Sequence, residues 1–219
     1  MRHPIDLEAL GTLFLHRVVP VAALLHIGLP VRLIKSRCHP GGPWQSPFPG
    51  ILLLGSKDPP PREQLVQAAL MYAGKGAMLT AFDALYLHGM KAAVPRPGAI
   101  HVLAPRTARR GFGHLYLETT ERLPKPVLRR GFHIAPLERA AIDAVRRTKS
   151  MAEIEAILEE ARHYVGLPAL RDELALAPPR GTAHARKVLG ESPARQLERA
   201  VRERRPLALP PARVPLAIG

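Results

Sequence analysis

The sequence predicts an α+β protein in which an N-terminal winged helix-turn-helix precedes a small α+β domain and a basic helical tail. Three observations support this prediction. Two short helices flank a glycine turn, a hairpin follows directly behind them, and the next region alternates helices and strands. The predicted domains are residues 1–57, 62–177 and 178–219, and prolines between the first two indicate a stiff linker.

The first unit contains three predicted helices. Asp6 can cap a helix over residues 6–16, whose apolar residues recur at helical spacing. A second helix covers residues 20–27 and ends at Gly28, because glycine favours the left-handed conformation that closes helices. A third covers residues 31–37.

A helix pair with such a turn is typical of the helix-turn-helix, whose second helix enters the major groove of DNA. Arg32, Lys35 and Arg37 give this helix a basic polar side, which suits contacts with phosphates and bases. The competing interpretation is a short, basic surface helix.

Two short predicted strands, residues 44–46 and 50–54, follow the third helix and form the wing. Gln45 and Ser46 are the wing residues expected to face DNA. Trp44 is the only tryptophan, and we expect it to pack the wing onto the helices rather than to stack on a base.

The second region has predicted helices at residues 62–73, 81–88, 137–145, 150–165 and 167–176, and predicted strands at 100–103 and 114–119. Residues 127–129 and 131–134 are interpreted as either one further strand or a pair of strands. The tail carries nine Lys and Arg against three Glu, hence 9 − 3 = +6, and a helix is expected to begin at Ser192.

Charge favours a polyanionic partner. The chain has 32 Lys and Arg against 18 Asp and Glu, a net charge of +14. Nucleic acid is the first candidate, because phosphate neutralisation supplies most non-specific affinity. A compositional bias of a GC-rich genome or an acidic protein partner would also produce such a charge.

The compartment follows from cysteine usage and hydropathy. Cys38 is the only cysteine, so an internal disulfide and a multi-cysteine zinc site are excluded, and a reducing cytoplasm is expected. The acidic N-terminus does not resemble a signal peptide. The uncharged stretch of 14 residues from position 18 to 31 is shorter than the roughly 20 residues of a membrane helix.

Catalytic motifs are missing, so the protein is predicted not to be an enzyme and to use no cofactor or metal. There is no phosphate-binding loop, no His-Glu-x-x-His helix, no Gly-x-Ser-x-Gly elbow and no Glu-x-Lys or Asp-x-Lys. Glu138 and Asp143 are expected on the solvated edge of a helix rather than as an acid–base pair. His88, His101 and His133 are expected to be core-edge or strand residues.

A loop cluster of three arginines, Arg106, Arg109 and Arg110, is interpreted either as a solvated loop or as a contact with phosphate or a partner.

The order of these segments resembles the AbiEi-type antitoxins of bacterial type IV toxin–antitoxin systems, particularly the long actinobacterial branch. The segments that carry the resemblance are Ala-Leu-Leu-His-Ile-Gly-Leu-Pro at 23–30, the wing at 42–51, Ala-Met-Leu-Thr at 77–80, Ala-Leu-Tyr-Leu-His-Gly at 84–89, Ile-His-Val at 100–102, Gly-Phe-His-Ile at 131–134 and Leu-Glu-Arg-Ala-Ala-Ile-Asp at 137–143. The chain departs from this family at Leu29-Pro30, where relatives usually have Ser or Thr before the recognition helix.

The resemblance implies a repressor that binds operator repeats in double-stranded DNA and a second domain that counteracts a nucleotidyltransferase-like toxin. Two other hypotheses remain open at this point. One is a non-catalytic module that neutralises or scaffolds a protein partner. The other is a truncated relative of members fused to a nuclease-like domain. The sequence defines neither the operator nor the oligomeric state.

Overall fold

The first sheet belongs to a compact N-terminal unit, residues 6–55. A computed structural model describes residues 6–55, 58–106 and 111–190 of the chain. The regular elements of the N-terminal unit are β1 Val18–Pro20, α1 Val21–His26, α2 Val31–Arg37, β2 Trp44–Phe48 and β3 Ile51–Leu54. The three strands are antiparallel in the order β1-β3-β2, and both helices lie between β1 and β2 along the chain. The sequence predicts α1, α2 and the hairpin to within two residues.

The predicted first helix is wrong. Asp6 does accept hydrogen bonds from the backbone N–H groups of Glu8 and Ala9, at 2.9 and 3.1 Å. However, the chain then forms two short 3-10 helices, Ala9–Leu13 and Leu15–Arg17, separated by an extended residue. The continuous helix is prevented by tertiary structure, because the chain has to turn into β1, which pairs with β3. Sequence analysis missed this strand.

The turn between α1 and α2 closes as a Schellman motif. The Gly28 N–H donates to the Leu25 carbonyl and the Leu29 N–H donates to the Leu24 carbonyl, each at 3.0 Å. Gly28 has φ +92°, which a residue with a side chain rarely adopts. Leu24 and Leu29 are both buried in one cluster, so the turn fixes the helix pair to the core.

The sheet is buried on both faces. One face, which includes Val19, Leu52 and Trp44, packs under α1 and α2. The other, which includes Val18 and Leu53, joins the main core of the molecule. There it contacts α3, Arg62–Ala73, which touches all three strands. Burial on both faces explains why β3 is a continuous apolar run rather than an alternating one.

The second sheet has five strands. In chain order its strands and the remaining helices are β4 Met78–Leu79, α4 Ala81–Leu87, β5 Ile100–Pro105, β6 Leu115–Thr120, β7 Val127–Arg129, β8 Phe132–Ile134, α5 Leu137–Val145, α6 Met151–Leu176 and α7 Ala183–Val188. The strand order is β6-β5-β4-β8-β7, with β5 parallel to β6 and β4 parallel to β8. Strand β4, at the centre of this sheet, is the second strand that sequence analysis missed.

The long helix α6 is interrupted as the sequence predicts. Gly166 has φ +79° and separates two helical segments. The Ser150 hydroxyl caps the first by accepting a hydrogen bond from the Glu153 N–H at 3.3 Å. The predicted helix at Ser192 lies outside the described residues. Within the described residues, the fold is mixed α+β with seven α-helices and two sheets, and none of these helices is long and apolar enough to cross a bilayer.

Asp143 is buried, contrary to the expectation of a solvated edge. Its carboxylate accepts hydrogen bonds from the Thr80 hydroxyl at 2.6 Å and from the Arg139 guanidinium at 3.0 Å. Thr80 stands at the N-cap of α4 as predicted, but its hydroxyl bonds Asp143 and not the helix. Burial raises the pKa of Asp143, although Arg139 and Thr80 oppose the shift. The pair therefore fastens α5 to the start of α4, while Glu138 is only half-buried.

Candidate nucleic-acid interface

Helix α2 presents Arg32 and Lys35 on one exposed arc. At about 100° per residue, these two residues lie about 60° apart around the helix axis. Both are exposed, and so are Val31 and Ser36 on the same arc, while Ile34 is buried on the opposite side. The apolar side of α2 thus anchors the helix, and its polar side faces outward.

Arg37 does not share this arc. It lies about 140° from Arg32 around the axis and is half-buried next to the turn that follows α2. The structure therefore brings together two of the three cations that sequence analysis placed on α2 and separates the third.

The N-terminal unit has a one-sided charge pattern. Between Glu8 and Asp58, 49 residues contain no Asp or Glu but five Lys and Arg, of which Arg17, Arg32, Lys35 and Arg37 are among the described residues. Among the described residues, no carboxylate lies within salt-bridge distance of these four cations. Their charge is therefore not neutralised within the described fold and is available to an anion.

Ser46, one of the two residues of the β2–β3 hairpin that were predicted to contact DNA, has a structural role. The Ser46 hydroxyl donates to the carbonyls of Phe48 and Ile51, at 3.4 and 3.3 Å, where a bulge shifts the strand register. Gln45 is half-buried on the same strand. Trp44 is buried against the helix pair, which confirms its predicted packing. Residues 38–55 contain no Lys, Arg, Asp or Glu, so the hairpin is uncharged.

Only one residue of the predicted arginine loop is described. Arg106 is exposed and forms an ion pair with Glu121, so its charge is partly neutralised. Arg109 and Arg110 lie outside the described residues.

The three histidines singled out in the sequence analysis lie on or next to different elements, namely α4, β5 and β8. His88 bonds the Ala135 carbonyl through Nε2 at 2.9 Å, and His133 is exposed on β8. His101 is buried on β5, and burial, followed by the charges of Arg147, Arg96 and Arg62, lowers its pKa to about 4. Nowhere in the described part of the chain do three or more His, Cys, Asp or Glu side chains converge as metal ligands would.

Sequence analysis missed a further group of cations at the β7–β8 turn. Arg129 and Arg130 are exposed there, and Arg17 is exposed at the start of β1. The available signal was Arg-Arg-Gly between two segments that sequence analysis interpreted as one strand or a pair, and the structure shows the pair. The turn lies near the N-terminal unit because His16 stacks on Phe132 of β8, with ring centroids 4.9 Å apart. This proximity depends on tertiary packing, so the sequence alone does not reveal it.

Comparison of the sequence with protein-family models and with curated proteins finds no match.

Proposed function

We propose that this chain is a DNA-binding transcriptional regulator whose N-terminal unit is a winged helix-turn-helix with α2 as the recognition helix. The observation that carries the proposal is the exposed pair Arg32 and Lys35 on the second helix of the α1–α2 pair, within a stretch, residues 9–57, that lacks acidic residues. Cations without carboxylate neighbours are what a polyanion requires.

The arrangement of elements supports this role. Along the chain the helix pair lies between the first two strands of a three-stranded antiparallel sheet. Its second helix exposes Arg32 and Lys35, while Ile34 of that helix shares an apolar cluster with Trp44 of the β2–β3 hairpin. An α-helix with its side chains is about 10–12 Å across, which suits the major groove with its width of about 12 Å, and at about 1.5 Å per residue α2 is about 10 Å long. In this position Arg32, near the start of α2, contacts base edges, and Lys35, one turn later, contacts phosphate.

The packing of the helix pair on the sheet also fits a DNA-binding role. Leu24 and Leu29 hold the turn in the core beneath the helices, and the opposite face of the sheet rests on α3. A recognition helix needs such a rigid base, because base contacts require fixed geometry.

We further propose, from the resemblance to AbiEi-type antitoxins, that the regulator represses its own operon and acts as the antitoxin of a type IV system. In this role the second domain counteracts a nucleotidyltransferase-like toxin. The alternative is a non-catalytic module that binds a protein partner. The uncharged β2–β3 hairpin is the feature that favours this alternative, because a wing usually contributes cations to phosphates.

The test is equilibrium binding of a fluorescent duplex from the region upstream of the gene, measured by anisotropy across a salt series. The perturbed variant is R32Q/K35Q. The matched control is R180Q/K187Q, which removes two exposed cations near α7.

We expect wild type and control to bind with the same steep salt dependence. R32Q/K35Q should lose about 1–3 kcal/mol of preference for the upstream duplex over a scrambled one. Its salt slope, the steepness with which the logarithm of the binding constant falls with the logarithm of the salt concentration, should decrease by about one per phosphate contact removed. If wild type shows no binding at low salt, the DNA-binding proposal is wrong. Co-expression with a neighbouring nucleotidyltransferase-like protein tests the antitoxin role separately, and a toxin that stays fully toxic contradicts it.

A further inference from the structure

The β2–β3 hairpin lacks the cations that phosphate contacts need. Residues 38–55 carry no charged side chain other than histidine, so this hairpin cannot neutralise a DNA backbone. The molecule has a second exposed hairpin, β7–β8, with the sequence Arg-Arg-Gly at its tip. Its relation to the N-terminal unit decides whether it can serve the same duplex.

The β7–β8 hairpin is attached to the N-terminal unit by an aromatic stack. The His16 and Phe132 rings lie 4.9 Å apart and are inclined by only 9°. Arg129 is paired directly with Phe132 across the hairpin. Residues opposite one another in an antiparallel pair project from the same face, so Arg129 lies on the face that meets His16.

The same end of the first sheet holds Arg17 and the end of α2. The Gly55 N–H donates to the Pro43 carbonyl at 3.0 Å, which closes this end of the sheet. A β-carbon on Gly55 would lie 3.3 Å from an Arg17 guanidinium nitrogen, and one on Gly42 would lie 2.5 Å from the Arg37 carbonyl oxygen. Gly42 therefore lies close to the end of α2, Gly55 lies close to the Arg17 side chain, and His16, the residue before Arg17, stacks on Phe132 of the β7–β8 hairpin. Together these residues trace a path from the end of α2, through Arg17, to that hairpin.

Four arginines lie along this path: Arg17, Arg37, Arg129 and Arg130. We call them the lateral basic surface. Three are exposed and Arg37 is half-buried. Among the described residues none of the four forms an ion pair. The hairpin itself lies within a stretch, from residue 122 to 137, that contains no Asp or Glu.

The tip of the β7–β8 hairpin carries a cation at a position that disfavours it. Arg130 has φ +47° and Gly131 has φ +84°, the signs of a two-residue type I′ turn. Asn is preferred over Arg at the first of these positions, because a left-handed conformation costs most other residues energy. Such an outlier is expected where the side chain serves a function.

From this geometry we infer that the lateral basic surface is a second nucleic-acid contact, which grips phosphates flanking the site that α2 occupies in the same duplex. The β7–β8 hairpin would supply the phosphate contacts that β2–β3 lacks. The inference rests on the proposed function, since it concerns the same DNA. The partner is a phosphate backbone, so the contact is independent of base sequence.

The test uses the full chain and the anisotropy assay described above. The variant is R129Q/R130N, which removes two charges while placing in the turn a residue that tolerates its conformation. The control R180Q/K187Q removes the same charge away from the β7–β8 hairpin, with Arg180 at the opposite edge of the second sheet and Lys187 on α7, which packs on α6. The location of Arg180 follows because the Arg180 carbonyl accepts a hydrogen bond from Arg146, which in turn bonds Glu118 of the edge strand β6.

We expect R129Q/R130N to lower the salt slope by about two and to weaken binding at 0.1 M salt by about one to two orders of magnitude. Upstream and scrambled duplexes should be weakened equally, whereas R32Q/K35Q should weaken the upstream duplex more. The thermal midpoint of R129Q/R130N should not fall.

Two outcomes are separable. If wild type binds DNA and R129Q/R130N binds it with the same affinity and salt slope as wild type, the inferred contact at the lateral basic surface is wrong, and the proposed function is unaffected. Wild type that binds no DNA overturns both.

Discussion

His101 is predicted to make the protein less stable in mild acid. The imidazole is 5% exposed and lies between Phe82 and Tyr116, with ring centroids at 6.0 and 5.1 Å. Its Nδ1 atom is buried and has no hydrogen-bond partner within the described part of the chain. Burial in this place, reinforced by the positive charges of Arg147, Arg96 and Arg62 against the single opposing charge of Glu118, lowers its pKa to about 4.

The size of the effect follows from linkage. The unfolded chain has a histidine pKa of about 6.5, so between pH 6.5 and 4 the unfolded state binds a proton that the folded state refuses. Stability therefore falls as the pH falls through this window. For folded and unfolded pKa values of about 4 and 6.5, the loss between pH 7 and pH 4.5 is about 2 kcal/mol.

The assay is urea unfolding followed by circular dichroism at pH 7 and pH 4.5, in wild type, His101→Phe and His101→Leu. Both variants remove the titrating ring, and Leu guards against overpacking by the larger Phe. We expect the loss of stability between the two pH values to shrink by about 2 kcal/mol in both variants. His184→Gln, a change at an exposed histidine, is the control and should behave as wild type. If all four proteins lose the same free energy, His101 is not the group responsible.

Three further predictions concern the elements that hold the fold. Leu24→Ala removes a fully buried side chain under the helix pair and should cost about 2–5 kcal/mol in urea unfolding. Gly28→Ala should cost about 1 kcal/mol or more, because φ +92° is strained for alanine, although no atom of the described residues lies within 4 Å of the added methyl group. If backbone strain alone matters, Gly98→Ala, at φ +70°, should have a similar cost. Glu118→Gln should reduce the loss of unfolding free energy on acidification. Burial raises the pKa of Glu118, but the charges of Arg146, Arg147 and Arg139 outweigh it, so its pKa is lowered and the stability it contributes at neutral pH is lost in acid. An unchanged loss of unfolding free energy in acid contradicts this.

Much of the fold was predictable because glycines and prolines mark its turns in the sequence. Gly28 and Pro30 mark the turn between α1 and α2, and the prolines and glycines at 47–50 mark the hairpin. Short-range chemistry fixes these features, so the sequence predicts them closely. Strands β1 and β4, of three and two residues, show no such signal, because their pairing partners alone define them as strands.

The same distinction applies to the candidate site. Helical periodicity is enough to place Arg32 and Lys35 together on α2. It could not predict that Asp143 is buried, because the residue that bonds its carboxylate, Thr80, is 63 positions away. Nor could it predict the lateral basic surface, which the stack of His16 on Phe132 creates across the molecule.

Net charge alone overstates the number of cations that this protein can offer to DNA. Eight arginines of the C-terminal part, Arg62, Arg96, Arg106, Arg122, Arg139, Arg146, Arg147 and Arg162, form ion pairs with carboxylates. Several of these are buried or half-buried: Arg146 pairs with Glu118 of β6, and Arg139 of α5 pairs with Glu173 of α6, so these ion pairs hold the three elements together. The four cations of the N-terminal unit have no such partners among the described residues. An exposed cation without a counter-ion gains more from a phosphate than one that must first leave a carboxylate. The arrangement of the charges, rather than their sum, therefore places the DNA contact on α2 and the β7–β8 tip in our proposal.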